Sequence, residues 1–242
     1  MTLEESLSFC RIDAMTAKAV MGGVETAMLR NLRASLALVP EAIERHRRLG
    51  IDEAITRATL KDLSVWCLHH RKRAGLVGIT SEIFDWSLHY LKGELLRVGA
   101  AQFEPSVSGI DLMEIHIPAD TRLSVDEFFA SAREAFALFR RIKPGFDPKG
   151  IFGEAWLLDP QVLAFLPDPT ELSKLQQVAI LFPGNISEEK TVRRLFGPNA
   201  TRASVVAMSR DGLNDLQRAL ADFLSVPSNR LKAHGALWMG EP

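Results

Sequence analysis

The strand-like stretch Ile110-Asp-Leu-Met-Glu-Ile-His-Ile-Pro118 decides the fold of this chain. Side chains of a strand alternate between its two faces, so Glu114 and His116 share one face. The opposite face is apolar and carries Met113, Ile115 and Ile117. A carboxylate two residues from an imidazole on one face is typical of a pair that handles protons. The alternative is a histidine that hydrogen-bonds only to support the sheet.

A helix and a second strand follow the first strand. Ser124-Val-Asp-Glu127 has the pattern of a capping box and predicts a helix that extends to Ile142. Ile151-Phe-Gly-Glu-Ala-Trp-Leu-Leu158 then predicts a strand with Glu154 among apolar neighbours. A connecting helix of this length allows the two strands to pair in parallel as a βαβ unit. Apolar surroundings raise the pKa of a carboxyl group, which suits a general base, and a structural salt bridge is the alternative for Glu154.

The chain changes from helical periodicity to strand alternation after residue 92. Before that point we expect Pro40 to begin one helix and Thr59 to cap another. After it, Glu94–Phe103 is the first predicted strand. We therefore predict an α+β chain, with a helical N-terminal domain at residues 1–92 and a mixed β-sheet with flanking helices at residues 93–242.

The composition indicates a soluble protein with a sizeable core. The chain has 242 residues, of which 47% are hydrophobic, and its formal net charge is −1. This balance favours neither a nucleic-acid partner nor a membrane-surface partner. The two cysteines, Cys10 and Cys67, form no disulfide framework and no zinc pattern, so we expect no metal and a reducing cytoplasmic location. No apolar run is long enough to span a membrane.

Six short phrases carry a resemblance to a known family: Gly93-Glu-Leu-Leu-Arg-Val-Gly99, Gln102-Phe-Glu104, Glu114-Ile-His-Ile-Pro118, Trp156-Leu-Leu-Asp-Pro160, Leu216-Gln-Arg-Ala219 and Gly235-Ala-Leu237. In their order and spacing they resemble the bacterial acyltransferase-domain proteins that pair a helical N-terminal domain with a GNAT-like C-terminal domain. The resemblance covers nearly the whole chain.

The resemblance implies a GNAT-type fold and the transfer of an acyl group from a thioester to an amine. In such a fold two central parallel strands splay apart and hold the pantetheine arm of the thioester, here beside the backbone of Ile115, Ile117 and Pro118. The diphosphate would lie at the N-terminus of the helix that follows, because backbone N–H groups and the helix dipole attract anions there. The phosphate end would meet Arg122, Leu123, Ser124 and Val125.

For catalysis we expect Glu114, His116 and Glu154 to share a cleft where the strands splay. His116 or Glu154, directly or through a water molecule, would take the proton from the acceptor amine. Glu114 would orient His116 or act as the base itself. Trp156 would line the acceptor pocket, and its alternative place is the core.

Three functions stay open on the sequence. The first is N-acyl transfer from acyl-CoA to a small-molecule amine. The second is the same chemistry with a phosphopantetheine carrier protein as donor and partner. The loop Ala119–Ser124 favours a carrier because it contains no glycine and a carrier needs no nucleotide diphosphate site. The third is a non-catalytic ligand- or partner-binding protein that retains the fold.

Overall fold

The computed structural model describes residues 1–23, 25–106, 111–121, 124–155, 158–163, 171–184, 188–197, 199–232 and 234–240. These residues form twelve helices and six strands. They divide into two compact units, Met1–Lys149 and Gly150–Gly240. Among the helices described, none is both long enough and apolar enough to cross a membrane.

The first unit begins with helices and continues into strands. In chain order its elements are α1 (Leu3–Phe9), α2 (Ala14–Met21), α3 (Ala27–Arg48), α4 (Glu53–Leu60), α5 (Asp62–Ala74), α6 (Ser81–Leu91), β1 (Leu96–Val98), β2 (Ala101–Pro105), β3 (Met113–His116) and α7 (Val125–Ile142). The helices before β1 enclose one apolar core, whose fully buried members include Leu32, Leu36, Leu63 and Tyr90.

Helix α3 is longer than the sequence predicts. The prediction that Pro40 begins a helix is wrong, because Pro40 lies inside α3. A proline removes one backbone hydrogen bond from a helix interior. The buried stripe of α3 nevertheless continues on both sides of Pro40, from Leu36 and Val39 to Ala42. Burial of this stripe against the core outweighs the missing bond.

The predicted helix cap at Thr59 is also wrong. Thr59 belongs to α4, and α5 begins at Asp62. The buried Oγ1 of Thr59 accepts a hydrogen bond from the backbone N–H of Arg97 at 2.9 Å. Thr59 therefore ties α4 to β1, a long-range contact that the local sequence pattern does not reveal.

The predicted strand Glu94–Phe103 is in fact the hairpin of β1 and β2. The chain turns at Gly99, which has a φ of 59°, and at Ala100. The Oγ of Ser131 on α7 accepts a hydrogen bond from the backbone N–H of Ala100 at 2.9 Å and lies too close for a Cβ on residue 99 to fit. Glycine thus permits both the left-handed turn and the close approach of α7.

Strand β3 confirms the alternation that the sequence predicts. It pairs with β2 in an antiparallel register that sets Gln102 opposite His116 and Glu104 opposite Glu114. Its apolar residues Met113 and Ile115 are buried, whereas Glu114 and His116 are partly exposed. Ile117, just after the strand, is exposed.

The second unit contains β4 (Gly150–Ala155), α8 (Pro160–Leu163), α9 (Glu171–Gln177), β5 (Ile180–Pro183), α10 (Glu188–Phe196), α11 (Arg202–Ala207), α12 (Asp215–Ser225) and β6 (His234–Met239). Strand β6 lies between β4 and β5 and is antiparallel to both. Helices α10 to α12 contribute to a second apolar core that contains Val192, Val205, Leu220 and Leu224. The parallel pairing of the first and second strands of the βαβ unit stays a prediction.

Candidate active site

The half-buried face of β3 meets a third ionisable residue, Glu104 on β2. Because Glu104 stands opposite Glu114 in the antiparallel register, it lies diagonally next to His116. The Nε2 atom of His116 is 2.9 Å from Oε1 of Glu104 and 3.9 Å from Oε1 of Glu114. The structure therefore brings together two of the predicted catalytic residues, Glu114 and His116, and adds Glu104.

Glu104 also contacts a second histidine, His89, near the end of α6. The distance from Oε2 of Glu104 to Nδ1 of His89 is 3.1 Å. Gly93, with a φ of 76°, turns the chain from α6 toward β1, and the backbone N–H groups of Glu94 and Leu95 donate to the carbonyl oxygen of His89. The buried carboxylate of Glu104 thus bridges two imidazole rings, one from the sheet and one from a helix.

The charge state of Glu104 follows from this arrangement. Burial alone would raise its pKa, but the hydrogen bonds and positive charge available from His116 and His89 outweigh burial, so the pKa lies below its usual value of 4.5. Glu104 is therefore an ionised carboxylate at neutral pH and can only accept hydrogen bonds.

The indole ring of Trp86 packs against both imidazoles. Its centroid lies 4.8 Å from that of His116 in an edge-to-face arrangement and 5.6 Å from that of His89 in a stacked one. A partly buried aromatic wall beside His116 lowers local access of water, which strengthens the interactions of the charged groups. Trp86 contributes this wall from α6, one helical turn before His89.

The same three ionisable groups also have the spacing of metal ligands. The nearest ligand atoms of Glu104, Glu114 and His116 all lie within 4.8 Å of one another. Imidazole nitrogen and carboxylate oxygen are ligands that divalent zinc accepts. The hydrogen bond between His116 and Glu104 accounts for the shortest of these distances without a metal.

A buried polar layer lies next to this cluster in the first unit. Gln102, opposite His116, is buried, and so are Asp62 and Tyr90. Burial raises the pKa of Asp62 to about 6, although the indole N–H of Trp66, which donates to Asp62 at 3.1 Å, and the charge of Arg97 oppose it. A side-chain hydrogen bond from Gln102 also lowers the pKa of Asp62, and burial raises the pKa of Tyr90 well above its usual value.

The loop after β3 is contacted by two cations from other elements, Lys61 after α4 and Arg97 on β1, that sequence reasoning missed. Asp120 accepts hydrogen bonds from Lys61 at 3.0 Å and from Arg97 at 2.9 Å, and Arg97 also donates to Thr121 at 2.9 Å. Burial would raise the pKa of Asp120, but Lys61 and Arg97 together hold it below its usual value. The two cations outnumber the one carboxylate, so this group of three side chains carries a net positive charge beside the loop.

The start of α7 contains the predicted capping box. Oγ of Ser124 accepts the backbone N–H of Glu127 at 3.2 Å, and Oε2 of Glu127 accepts the backbone N–H of Ser124 at 3.0 Å. The Glu127 carboxylate therefore already occupies part of the anion position at this helix end. The predicted donor-binding residues Arg122 and Leu123 lie outside the described residues, and Ser124 and Val125 lie at this helix start.

The third predicted catalytic residue, Glu154, belongs to the second unit. It lies half-buried on β4, opposite Gly235 of β6. Gly184 follows β5 and packs so closely on the Glu154 carboxylate that an added Cβ would lie 2.6 Å from Oε1. Its expected place in a cleft with His116 stays a prediction. Trp156, the predicted acceptor-pocket residue, lies outside the described residues.

Comparison with protein families identifies both parts of the chain. Residues 8–93 match the N-acyltransferase N-terminal domain, and residues 95–237 match the GNAT-like C-terminal domain. The chain belongs to this acyltransferase family. The predicted fold class, a helical N-terminal domain followed by a GNAT-like sheet with flanking helices, is confirmed, and the protein is an acyltransferase. A comparison with curated proteins gives no match.

Solved acyltransferase structures share the fold of this family member. One, in complex with decanoyl-CoA and teicoplanin, has 18% sequence identity, a TM-score of 0.82, and an alignment that covers 99% of this chain and 88% of that chain. Another, in complex with CoA and 10C-teicoplanin, has 17% identity, a TM-score of 0.81 and the same coverage. At this identity the similarity establishes a common fold.

Proposed function

We propose that the protein transfers an acyl group from acyl-CoA to the amine of a small-molecule acceptor, with His116 as general base. The observation that carries the proposal is the imidazole of His116, held at 2.9 Å by an ionised carboxylate on the neighbouring strand of an acyltransferase fold. A neutral imidazole with a free lone pair can accept a proton from an amine, which suits a general base.

The reaction needs one nucleophile, one base and one leaving group. The amine nitrogen attacks the thioester carbonyl and forms the C–N bond, and the C–S bond then breaks to release the CoA thiolate. The proton lost by the nitrogen goes to His116, which returns it to the thiolate or to water. Glu154 is the second candidate base, Glu114 supports His116, and Trp156 lines the acceptor pocket in this proposal.

Acyl-CoA is the preferred donor over a carrier protein. The solved relatives hold decanoyl-CoA or CoA, which supports a CoA thioester as donor. Lys61 and Arg97, on either side of Asp120, supply positive charge near the start of α7, where the phosphates are proposed to bind. The pantetheine arm is proposed to follow the backbone from Ile115 to Pro118. A carrier-protein donor stays the second candidate because the loop before α7 contains no glycine.

The acceptor is proposed to be a small molecule. Two solved relatives hold teicoplanin or its 10C derivative, which supports an acceptor of this size class. Both cysteines of the chain are buried and free, which agrees with the reducing cytoplasm that we propose as its location.

The donor is tested by thermal shift with CoA, octanoyl-CoA, decanoyl-CoA and a decanoylated carrier protein, followed by release of free thiol. We expect stabilisation by the CoA thioesters, and a response to the carrier alone would contradict the choice of donor. A panel of amines that includes teicoplanin, analysed by mass spectrometry, then identifies the acceptor through the mass of the acyl group.

The base is tested on the acceptor so found. We expect His116→Ala to lower turnover by about 10²- to 10⁴-fold, the usual effect of losing a general base. The variant must remain folded, as shown by its thermal unfolding curve. Full turnover in a folded His116→Ala protein would assign the base to another residue, and Glu154→Gln tests the second candidate.

A further inference from the structure

The ring of His116 uses only one of its nitrogens within the described part of the chain. Nε2 faces Glu104 and Glu114, at 2.9 Å and 3.9 Å, while Nδ1 has no hydrogen-bond partner among the described residues. His89 shows the reverse arrangement, because its Nδ1 faces Oε2 of Glu104. The carboxylate of Glu104 therefore contacts Nε2 of one histidine and Nδ1 of the other.

Which nitrogen carries the proton follows from the acceptor. An ionised carboxylate has no proton to give, so the hydrogen in each of these two bonds belongs to the imidazole. A neutral His116 must then be protonated at Nε2, which leaves the lone pair on Nδ1. A neutral His89 must likewise be protonated at Nδ1. The tautomer of a histidine is set in this way by the bond that its other nitrogen makes.

We propose that Glu104 is the positioning residue of the site: it holds His116 as the Nε2–H tautomer and makes Nδ1 the nitrogen that accepts the proton of the amine. His89 assists by occupying the second oxygen of Glu104, which fixes the plane of the carboxylate. This inference rests on the proposed function, in which His116 is the base. A base oriented by a third group is the general arrangement in which such bases work.

Glu104 fits this task better than Glu114, although both carboxylates lie near Nε2. The side chain of Glu104 is only 11% exposed, against 26% for Glu114, and its oxygen is a full ångström closer to His116. Less water around Glu104 means less screening of its attraction to the imidazolium that forms during the reaction. Glu114 adds negative charge at a longer distance.

The first test is the tautomer itself, measured by ¹⁵N NMR of the imidazole rings in the full-length protein at a pH where they are neutral. The chain has six histidines, and the spectrum of His116→Ala identifies the signals of His116. We expect the Nε2–H form in the wild type. In Glu104→Gln we expect a shift toward the Nδ1–H form, because an amide can donate to Nε2. An Nδ1–H form in the wild type, or an unchanged tautomer in Glu104→Gln, would overturn the proposal.

The second test separates kcat from KM. We expect Glu104→Gln to lower kcat by about 10²- to 10⁴-fold, as loss of the base would, with KM nearly unchanged. Glu104→Asp, which keeps the charge, should recover part of kcat. The matched control is Glu134→Gln, the same change at an exposed position of α7, which should leave both constants unchanged. An unchanged kcat in Glu104→Gln, or an effect on KM alone, contradicts the proposal.

His89 has its own prediction. His89→Ala should leave the His116 tautomer unchanged, because Oε1 of Glu104 keeps its bond, and should lower kcat by less than Glu104→Gln. An unchanged kcat would remove His89 from the arrangement. The NMR result also keeps this inference distinct from the proposed function. Full turnover in His116→Ala would show that His116 is not the base. A wild-type Nε2–H tautomer that depends on Glu104 would still confirm that Glu104 positions His116.

Discussion

Glu104 and Asp62 are both buried carboxyl groups of the first unit, yet their pKa values move in opposite directions. Burial raises the pKa of each group. Around Glu104 two imidazoles supply hydrogen bonds and charge that outweigh burial, whereas around Asp62 the Trp66 indole and the more distant Arg97 do so only in part. Hydrogen-bonding and charged partners can therefore reverse the effect of burial on the pKa of a carboxyl group, as they do at Glu104 but not at Asp62.

The largest expected difference between the two groups is catalytic. We expect Glu104→Gln to lower turnover by about 10²- to 10⁴-fold, because it removes the charge that supports His116. Asp62→Asn, the equivalent change in the neighbouring polar layer, should keep turnover close to the wild type, since Asp62 accepts a hydrogen bond from Trp66 and contacts neither His116 nor His89 within the described part of the chain. Steady-state assays of both variants with one donor and one acceptor measure the contrast. Equal losses would show that the two groups belong to one functional network.

The second difference is in stability. At pH 8 we expect Asp62→Asn to raise the free energy of unfolding, because the buried carboxylate no longer has to ionise. The rise of its pKa from 3.8 to about 6 corresponds to about 3 kcal/mol at 1.36 kcal/mol per unit. Asparagine keeps an oxygen that can accept from the Trp66 indole. Urea unfolding at pH 8 measures the change, and a destabilised variant would mean that the ionised form of Asp62 is the one that the fold needs.

The third difference is the pH range over which each carboxyl group changes its contribution to the stability of the fold. The pKa of Asp62 is raised in the folded state, so its contribution to stability declines as pH rises from about 4 to about 6 and is constant above. The pKa of Glu104 is lowered, so its contribution is complete above its usual value of 4.5 and is lost as pH falls through the folded value.

Unfolding curves from pH 4 to pH 8 separate these two contributions. The difference between Asp62→Asn and the wild type should grow between pH 4 and pH 6 and then stay level. His46, also buried, has a pKa lowered chiefly by burial, so its contribution is complete above its usual 6.5 and falls at lower pH in both proteins. Because His46 acts equally in both, it cancels in the difference, and a difference that is flat with pH would contradict the raised pKa of Asp62.

Periodicity and local signals predicted the parts of the fold that depend on near neighbours. The alternation of β3 and the capping box of α7 both follow from residues within four positions of one another. The predictions at Pro40 and Thr59 are wrong because long-range packing decides the roles of these residues. The core beside α3 retains a helix through Pro40, and the backbone N–H of Arg97 on β1 is the donor that Thr59 accepts. Local propensity is overridden wherever burial contributes more.

The candidate site divides in the same way. Glu114 and His116 could be paired from one strand, because their spacing of two residues fixes their common face. Glu104 and His89 could not, because the contact of Glu104 with His116 depends on the register of β2 against β3, and that of His89 with Glu104 depends on where α6 lies relative to β2. The phrase Gln102-Phe-Glu104 was visible as part of the family resemblance, but only the antiparallel pairing shows that its glutamate faces His116.

The smallest expected effect concerns Glu44, whose pKa is lowered like that of Glu104 but whose side chain is exposed. The hydrogen bond and the charge of Arg47 lower the pKa of Glu44, as the histidines lower that of Glu104, but Glu44 and Arg47 lie exposed on α3. Water and salt screen an exposed pair, and ordering two long side chains opposes its formation. We therefore expect Glu44→Gln to leave the midpoint of thermal unfolding unchanged at 0.15 M salt, whereas the same substitution at Glu104 lowers it. A clear drop of the unfolding midpoint in Glu44→Gln that disappears in 1 M salt would show that this exposed pair does stabilise the fold. Burial of the partners would then not be required for a charged pair to contribute to stability.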